Sequence, residues 1–297
     1  MAKLRSEPHW HADETRWEVF VEREGKIGHR WYLWVFQSRS VVHYVLDPSR
    51  SASVVQAELA GVEEGYLSCD RYVAYKKHAR CNPGIVLSFC WAHQRRDWLM
   101  LGNDHPELAA YAMQWVELIG QLYHLHDLRA QAATQSGDFA ALDTKLREAV
   151  QGMAQRRDAA LADASTQRAT RKVLQSMNKH WAGLTVFVEQ PWLAMDNNAA
   201  ERAIRPAVVG RKNFYGSGSQ WSGQLAATMY SVLMTVRLWE LNARTWLSQY
   251  LHACADNGNR APEDLTPWLP WAMDAARLAQ LRAVCAGSDC HEGIDSS

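Results

Sequence analysis

Residues 65–70, Gly-Tyr-Leu-Ser-Cys-Asp, form an apolar run that stops on an acid. Five such residues without polar alternation read as a strand buried on both faces, the pattern of a sheet covered by helices. Working outward, SASVVQAELAG at 51–61 predicts a short helix closed by Gly61, and residues 72–78 predict a second helix. Ile85-Val-Leu-Ser-Phe89 predicts another buried strand, and WAHQRRDWLML at 91–101 a helix after it. Upstream lie three β-rich runs: WHADETRWEVFVE at 10–22, HRWYLWVF at 29–36 and VVHYVL at 41–46. The links between them, REGKIG and QSRS, are turn-like in their Gly, Ser and charge content, so the three runs read as an antiparallel meander.

The order is therefore β-β-β-α-β-α-β-α, an α/β class in which strands two and three hairpin back on strand one. This is the strand order of a ribonuclease-H-like mixed sheet. Between Pro106 and Gly183 the composition shifts to Ala, Gln, Leu and Arg. Leu108, Tyr111, Trp115, Leu118, Leu122 and Leu125 recur at helical spacing, as do Phe139, Leu142, Leu146, Val150 and Met153 after the break QSGD. A third helix carries Val173, Met177 and Trp181, and the β-branched run Thr185-Val-Phe-Val-Glu189 is expected to be a short strand returning to the sheet. A further amphipathic helix is expected from about Gln224 to Leu238. The expected organisation is a first part of the core at 1–103, a helical insertion at 104–183, the remainder of the core at 184–250, and a helical tail at 251–297 whose last residues, from Gly287, fray.

The 297 residues are 47% hydrophobic and 22% charged, enough apolar material for one large domain or two small ones. Lys plus Arg and Asp plus Glu each number 32, so any surface for a polyanion must be a local patch. The cysteines, at 69, 81, 90, 254, 285 and 290, include no CxxC pair, which suits a reduced compartment. With neither an apolar leader nor a membrane-length apolar run, the expectation is a soluble, cytoplasmic protein with no membrane partner.

Three acids sit at telling places: Asp13 in the first strand, Asp70 at the end of the fourth, and Glu201 opening a helix after the insertion. Metal-assisted phosphoryl transfer needs carboxylates that converge on hard divalent cations about 4 Å apart. Strands one and four are neighbours in the expected sheet, so Asp13 and Asp70 can meet although far apart in sequence. Each acid also has a plainer reading. Asp13 suits a solvated charge at a strand edge, Asp70 a turn former, and Glu201 a capping-box acid or a partner of Arg205.

The blocks HADETRW, GYLSCDRYVAYKKH, CWAHQRRDW and DNNAAERAIRPAVVGRKNF resemble, in order and spacing, the signature blocks of the insertion sequence sixty-six family of DDE transposases. The resemblance covers about residues 9–250 and implies that Asp13, Asp70 and Glu201 are catalytic and bind two Mg²⁺ or Mn²⁺ ions. It implies DNA cleavage at transposon ends and strand transfer into target DNA, with DNA, further copies of the chain and helper proteins as partners. Rival readings are a structure-specific nuclease on the same fold and a non-catalytic DNA-binding remnant. Family members usually carry an N-terminal region with a zinc-finger-like segment and a DNA-binding element. This sequence starts almost at the first catalytic strand, so a truncated copy or a separate reading frame is expected.

Arg202, Arg205, Arg211 and Lys212 place a basic strip beside Glu201, and guanidinium groups grip phosphates without reading sequence. His93, Arg95 and Arg96 join them as expected DNA contacts, since the CWAHQRR block resembles a CxxH motif of several DDE families in which the His lies near the DNA backbone. Cys90 and His93 also have ligand-like spacing for zinc, but no second paired motif in the sequence completes a four-ligand set.

Overall fold

The computed structural model describes residues 1–21 and 29–283, so the turn expected at 23–28 and the fraying end expected from 287 lie outside the described residues. The chain opens with α1 (Ala2–Arg5), β1 (His9–Val19), β2 (Arg30–Gln37), β3 (Val42–Asp47), α2 (Ala52–Glu58), β4 (Gly65–Cys69), α3 (Val73–Cys81) and β5 (Ile85–Phe89). There follow α4 (Trp91–Asp104), α5 (Ala109–Gln131), α6 (Gly137–Ala162), α7 (Arg168–Lys179), α8 (Trp181–Leu184) and α9 (Val186–Glu189). The last elements are α10 (Asn198–Phe214), β6 (Gly216–Ser217), α11 (Gln220–Leu238), α12 (Ala243–Asp256) and α13 (Ala275–Ala283). The strands hydrogen-bond in the order β3-β2-β1-β4-β5, and β6 pairs with β1. β2 and β3 run antiparallel, with Leu33 opposite Leu46, whereas β4 runs parallel to both β1 and β5. The architecture is a mixed α/β sheet with many helices.

Two compact units share the chain. The first comprises Met1–Glu7, Glu14–Arg50 and Arg202–Ser297. β3 ends the strand order, and an uncovered strand edge invites pairing with other chains. Here α11 supplies hydroxyls to it: the Tyr44 N–H donates to Ser231 Oγ at 2.8 Å and the Val42 N–H to Thr235 Oγ1 at 3.0 Å. Val42, Tyr44 and Leu46 alternate inward along β3. Further along the chain, Val236, Leu241, Trp246 and Leu281 form a cluster that seats α12 and α13.

The second unit comprises Pro8–Asp13 and Ser51–Glu201. β4 and β5 appear with the bounds their apolar runs predict, and Gly61 closes the α2 region in the left-handed conformation, φ +78°. Gly65 starts β4 at φ +150°, where a Cβ would lie 2.5 Å from the Trp10 ring and 2.8 Å from the Pro8 carbonyl oxygen. No side chain fits there, so the two strands approach at the closest point. α5 and α6 form the expected helical hairpin, and Trp98 of α4 stacks on Trp115 of α5 with ring centroids 4.9 Å apart.

Residues 185–189 depart from expectation, because TVFVE is helical rather than a strand. Its β-branched residues favour a strand, but its carbonyls find partners that a ladder would otherwise supply. Arg129, fully buried on α5, donates to the carbonyls of Phe187 at 2.7 Å and Val188 at 3.1 Å, and also to Asp143 of α6. Trp91 Nε1 donates to the Leu184 carbonyl. Phe187 and Val188 then bury their side chains from a helical backbone.

Candidate active site

Each acid is held by a different device. β1 and β4 pair in parallel with His11 opposite Ser68; Asp13 stands two residues further along β1, and Asp70 two residues beyond Ser68, just past the end of β4. β4 ends at Cys69, and Asp70 lies one residue beyond. There Asp70 Oδ1 accepts the Tyr72 N–H at 2.8 Å, the turn anticipated for that acid, which launches α3 and fixes the carboxyl. Arg71 ties the turn to neighbouring helices through Gln94 Oε1 at 3.1 Å, Ser176 Oγ at 3.0 Å and Asp97 Oδ2 at 2.6 Å.

Glu201 lies in the first turn of α10. Among the described residues its carboxylate accepts no backbone N–H, so it does not act as a capping acid; Oε1 is buried without a hydrogen-bond partner. The nearest cationic candidate, His93 Nε2, is 3.9 Å from Oε1, beyond hydrogen-bond range. What positions the start of α10 is Asn197, only 1% exposed. Its Nδ2 donates to the Ala12 carbonyl at 2.8 Å, its backbone N–H donates to Cys90 Sγ at 3.2 Å, and its Oδ1 meets His11 Nδ1 at 3.0 Å. The Glu201 N–H in turn donates to the Asn197 carbonyl at 3.2 Å. One buried amide thus links the strand beside Asp13, the start of α4 and the helix of Glu201.

Cys90 is the residue before α4 and His93 lies in its first turn. Burial, together with Arg96, holds His93 below its ordinary pKa against the pull of Glu201 and Asp70, so the ring is neutral near pH 7. Burial raises the Cys90 thiol, although the N–H groups of Asn197, His93 and Ala92 oppose this. Among the described residues, the trio whose ligand atoms all lie within 4.8 Å of one another is Cys90, His93 and Glu201. Of the expected residues, the structure thus groups Glu201 with His93, and Cys90 completes the trio. His9, on the same face of β1, meets Ser68 Oγ at 2.8 Å, and burial pushes its pKa down to about 3.

The expected phosphate contacts fall in both units. Arg95 and Arg96 are exposed on α4 in the second, and Arg202, Arg205 and Lys212 are exposed on α10 in the first. Arg211 differs: it donates to Thr15 Oγ1 at 3.1 Å and to the Arg16 carbonyl, bracing β1. Sequence reasoning missed Asn197, His11 and Arg71. All three stand inside the blocks that signalled the acids, but their partners are distant in sequence.

A mixed sheet with one acid on β1, a second just past the end of the parallel strand β4 and a third in the first turn of a helix defines the class, an α/β protein with acids set around its parallel strands. The sequence pattern of the transposase IS66 family matches residues 1–225, and the chain belongs to that family. It is similar to the uncharacterized protein y4jD of Sinorhizobium fredii, 27% identical over 296 residues, covering 94% of this chain and 56% of the relative. To y4qI of the same organism it is 28% identical over 274 residues, covering 86% and 50%. The chain spans about half the length of the curated relatives it matches. No helix among the described residues is long and apolar enough to cross a membrane.

Proposed function

We propose that the chain is the catalytic core of a DDE transposase on a ribonuclease-H-like fold, cutting DNA at transposon ends and joining the freed ends to target DNA. The observation that carries this reading is the parallel pairing of β1 with β4, in which Asp13 and Asp70 each follow by two residues the paired His11 and Ser68, a relation that a slip of one residue in β4 would undo. The strand order β3-β2-β1-β4-β5 supports the fold, and family membership supports the chemistry. In this reading the core comprises 1–103 and 184–250, with the helical insertion at 104–183 and the tail at 251–297.

The donor set fits two hard cations. Three carboxylates offer oxygen ligands, and Glu201 Oε1 is buried with no hydrogen bond to satisfy it. Asp13, Asp70 and Glu201 would hold two Mg²⁺ or Mn²⁺ ions, which when bound supply Lewis-acid activation of the attacking oxygen and stabilise the leaving one. The Asp70 turn and the Asn197 bridge keep the acids from rearranging. Neutral His93 donates a hydrogen bond to a phosphate oxygen, and Arg95, Arg96, Arg202, Arg205, Arg211 and Lys212 are the basic set from which phosphate contacts are drawn. In the first step a water oxygen bonds to phosphorus as the 3′ oxygen leaves. In the second, that 3′ hydroxyl bonds to a target phosphorus and displaces the target's own 3′ oxygen. Neither step requires a covalent bond to the protein. Further copies of the chain and helper proteins are the proposed partners on DNA.

The test is incubation of the purified chain with Mg²⁺ or Mn²⁺ and a supercoiled plasmid bearing transposon ends. Nicks followed by joined products are expected. Nicks without joining would assign the chain to nucleases, and no metal-dependent nicking would make it a DNA-binding remnant.

A further inference from the structure

We propose that Cys90, His93 and Glu201 form a second cation site, for one thiophilic divalent ion of the Zn²⁺ type. The sequence supplies only the Cys90 and His93 pair. The fold adds Glu201, more than a hundred residues further along the chain. Their ligand atoms all lie within 4.8 Å of one another. Tetrahedral zinc, with bonds of about 2.0–2.3 Å, sets its ligand atoms roughly 3.3–3.8 Å apart, with the nitrogen–oxygen edge at the short end. The 3.9 Å between His93 Nε2 and Glu201 Oε1 is too long for a hydrogen bond, and a side-chain shift of about 0.5 Å would bring it to such an edge.

A further observation points to an ion: Glu201 Oε1 is a buried polar atom without a hydrogen-bond partner. Buried groups of that kind are uncommon, and a cation among the three would partner the carboxylate oxygen directly. At the sulfur, the Asn197 backbone N–H donates to Cys90 Sγ at 3.2 Å, a contact that a metal-bound thiolate would keep.

The donor chemistry selects the ion. One sulfur, one imidazole nitrogen and one carboxylate oxygen suit Zn²⁺ or Co²⁺, whereas Mg²⁺ takes oxygen ligands. Three protein ligands leave a fourth position, and the side chains of His93 and Glu201 are 26% and 34% exposed, so water can fill it. That is the plan of an exchangeable site rather than a closed structural one. Both this ion and ions held with Asp13 and Asp70 would draw on the same Glu201 Oε1, so the two compete for it. Binding itself is independent of the transposase reading, but its effect rests on that reading: Zn²⁺ here withdraws the third acid and holds DNA cleavage off.

The probe is Co²⁺, titrated into the full chain. One ion per chain is expected, with a near-ultraviolet sulfur-to-cobalt charge-transfer band that Zn²⁺ abolishes by displacement. Cys90→Ser should remove the band. Because Cys90 is buried, circular dichroism of that variant is compared with wild type, and half-exposed His93→Gln provides a second test. It should weaken Co²⁺ binding by about a hundredfold or more, since losing a ligand costs at least what losing an outer-shell partner does. No band in the wild-type chain, a band that survives Cys90→Ser, or unchanged affinity in His93→Gln each overturns the proposal. Plasmid nicking in Mg²⁺ is then measured with and without enough Zn²⁺ to fill the site. Inhibition is expected in wild type and its loss in Cys90→Ser; equal inhibition of both would overturn the regulatory role. A chain that binds Co²⁺ but never nicks refutes the transposase reading alone, and one that nicks without a cobalt band refutes the second site alone.

Discussion

The buried polar residues described in the first unit are mostly hydroxyls, such as Thr235, which bonds the backbone of Val42, and Ser217, which accepts from Trp17 Nε1, whereas those of the second include Arg129, Arg157, Gln94, Asn197, His78, His126 and His180. Burial lowers the pKa of five histidines, His9, His78, His93, His126 and His180, and all five belong to the second unit. A sheet edge needs only to be covered, and apolar packing with a few hydroxyls suffices. Carboxylates must be aimed, and aiming calls for hydrogen-bonded groups whose desolvation is costly. The second unit should therefore hold both the chemistry and the sensitivity to charge.

The largest effect that could break this contrast is on cleavage. Asp70→Asn keeps the oxygen that accepts the Tyr72 N–H, and Glu201→Gln removes no hydrogen bond, so each should lose under about 1 kcal/mol of stability. Both should nonetheless abolish nicking, because a neutral amide is a poor ligand for a divalent ion. An active Glu201→Gln variant would take Glu201 out of the site and leave Asp196 as the next acid to test.

Stability comes next. Asp143→Ala strands the buried Arg129 charge with only carbonyl and imidazole partners, and about 3–5 kcal/mol should be lost in urea unfolding. A loss below about 1 kcal/mol would mean that the carbonyls of Phe187 and Val188 alone satisfy the guanidinium.

Acid offers a smaller, graded test. The His9 pKa is about 3 in the fold against an ordinary 6.5. Between those values the unfolded chain binds the extra proton, so His9 contributes stability above the unfolded value that is lost as pH falls toward the folded one. At about pH 5 the difference is on the order of 2 kcal/mol, and His9→Gln should flatten the decline by that amount. Parallel pH curves for the two proteins would remove His9 from the account.

The smallest expected change is in salt dependence. Arg205→Ala or Lys212→Ala should weaken DNA binding about equally for all sequences and reduce the slope of log affinity against log salt by roughly one unit. Arg211→Ala should act differently, lowering the melting temperature through β1, to which it is bonded. Equal slopes for wild type and Lys212→Ala would leave that lysine as a solvated charge.

The same contrast explains what could be read in advance. β4 and β5 were legible to the residue because strands covered on both faces are continuous apolar runs with abrupt ends. The helices α5 and α6 were legible from their period. TVFVE misled because the outcome depended on Arg129, some sixty residues away, and no local pattern reports a distant donor to a carbonyl. The acids stood out only through their surrounding blocks, since singly each had an ordinary structural reading. Asn197 was hidden because its three partners, Ala12, His11 and Cys90, come from two separate stretches of chain.

Gly65 shows how a copy of this gene could fall silent without any visible wound. A methyl group at that position collides with the Trp10 ring and the Pro8 carbonyl. One relief would be for β4 to slide along β1, and a one-residue slide would turn the side chains of β4 to the opposite face and shift Asp70 with them. Such a lineage would pass on every acidic codon intact. Anyone sorting living from dead copies by their aspartates and glutamates would count it among the living, while the fault lay in a residue with no side chain.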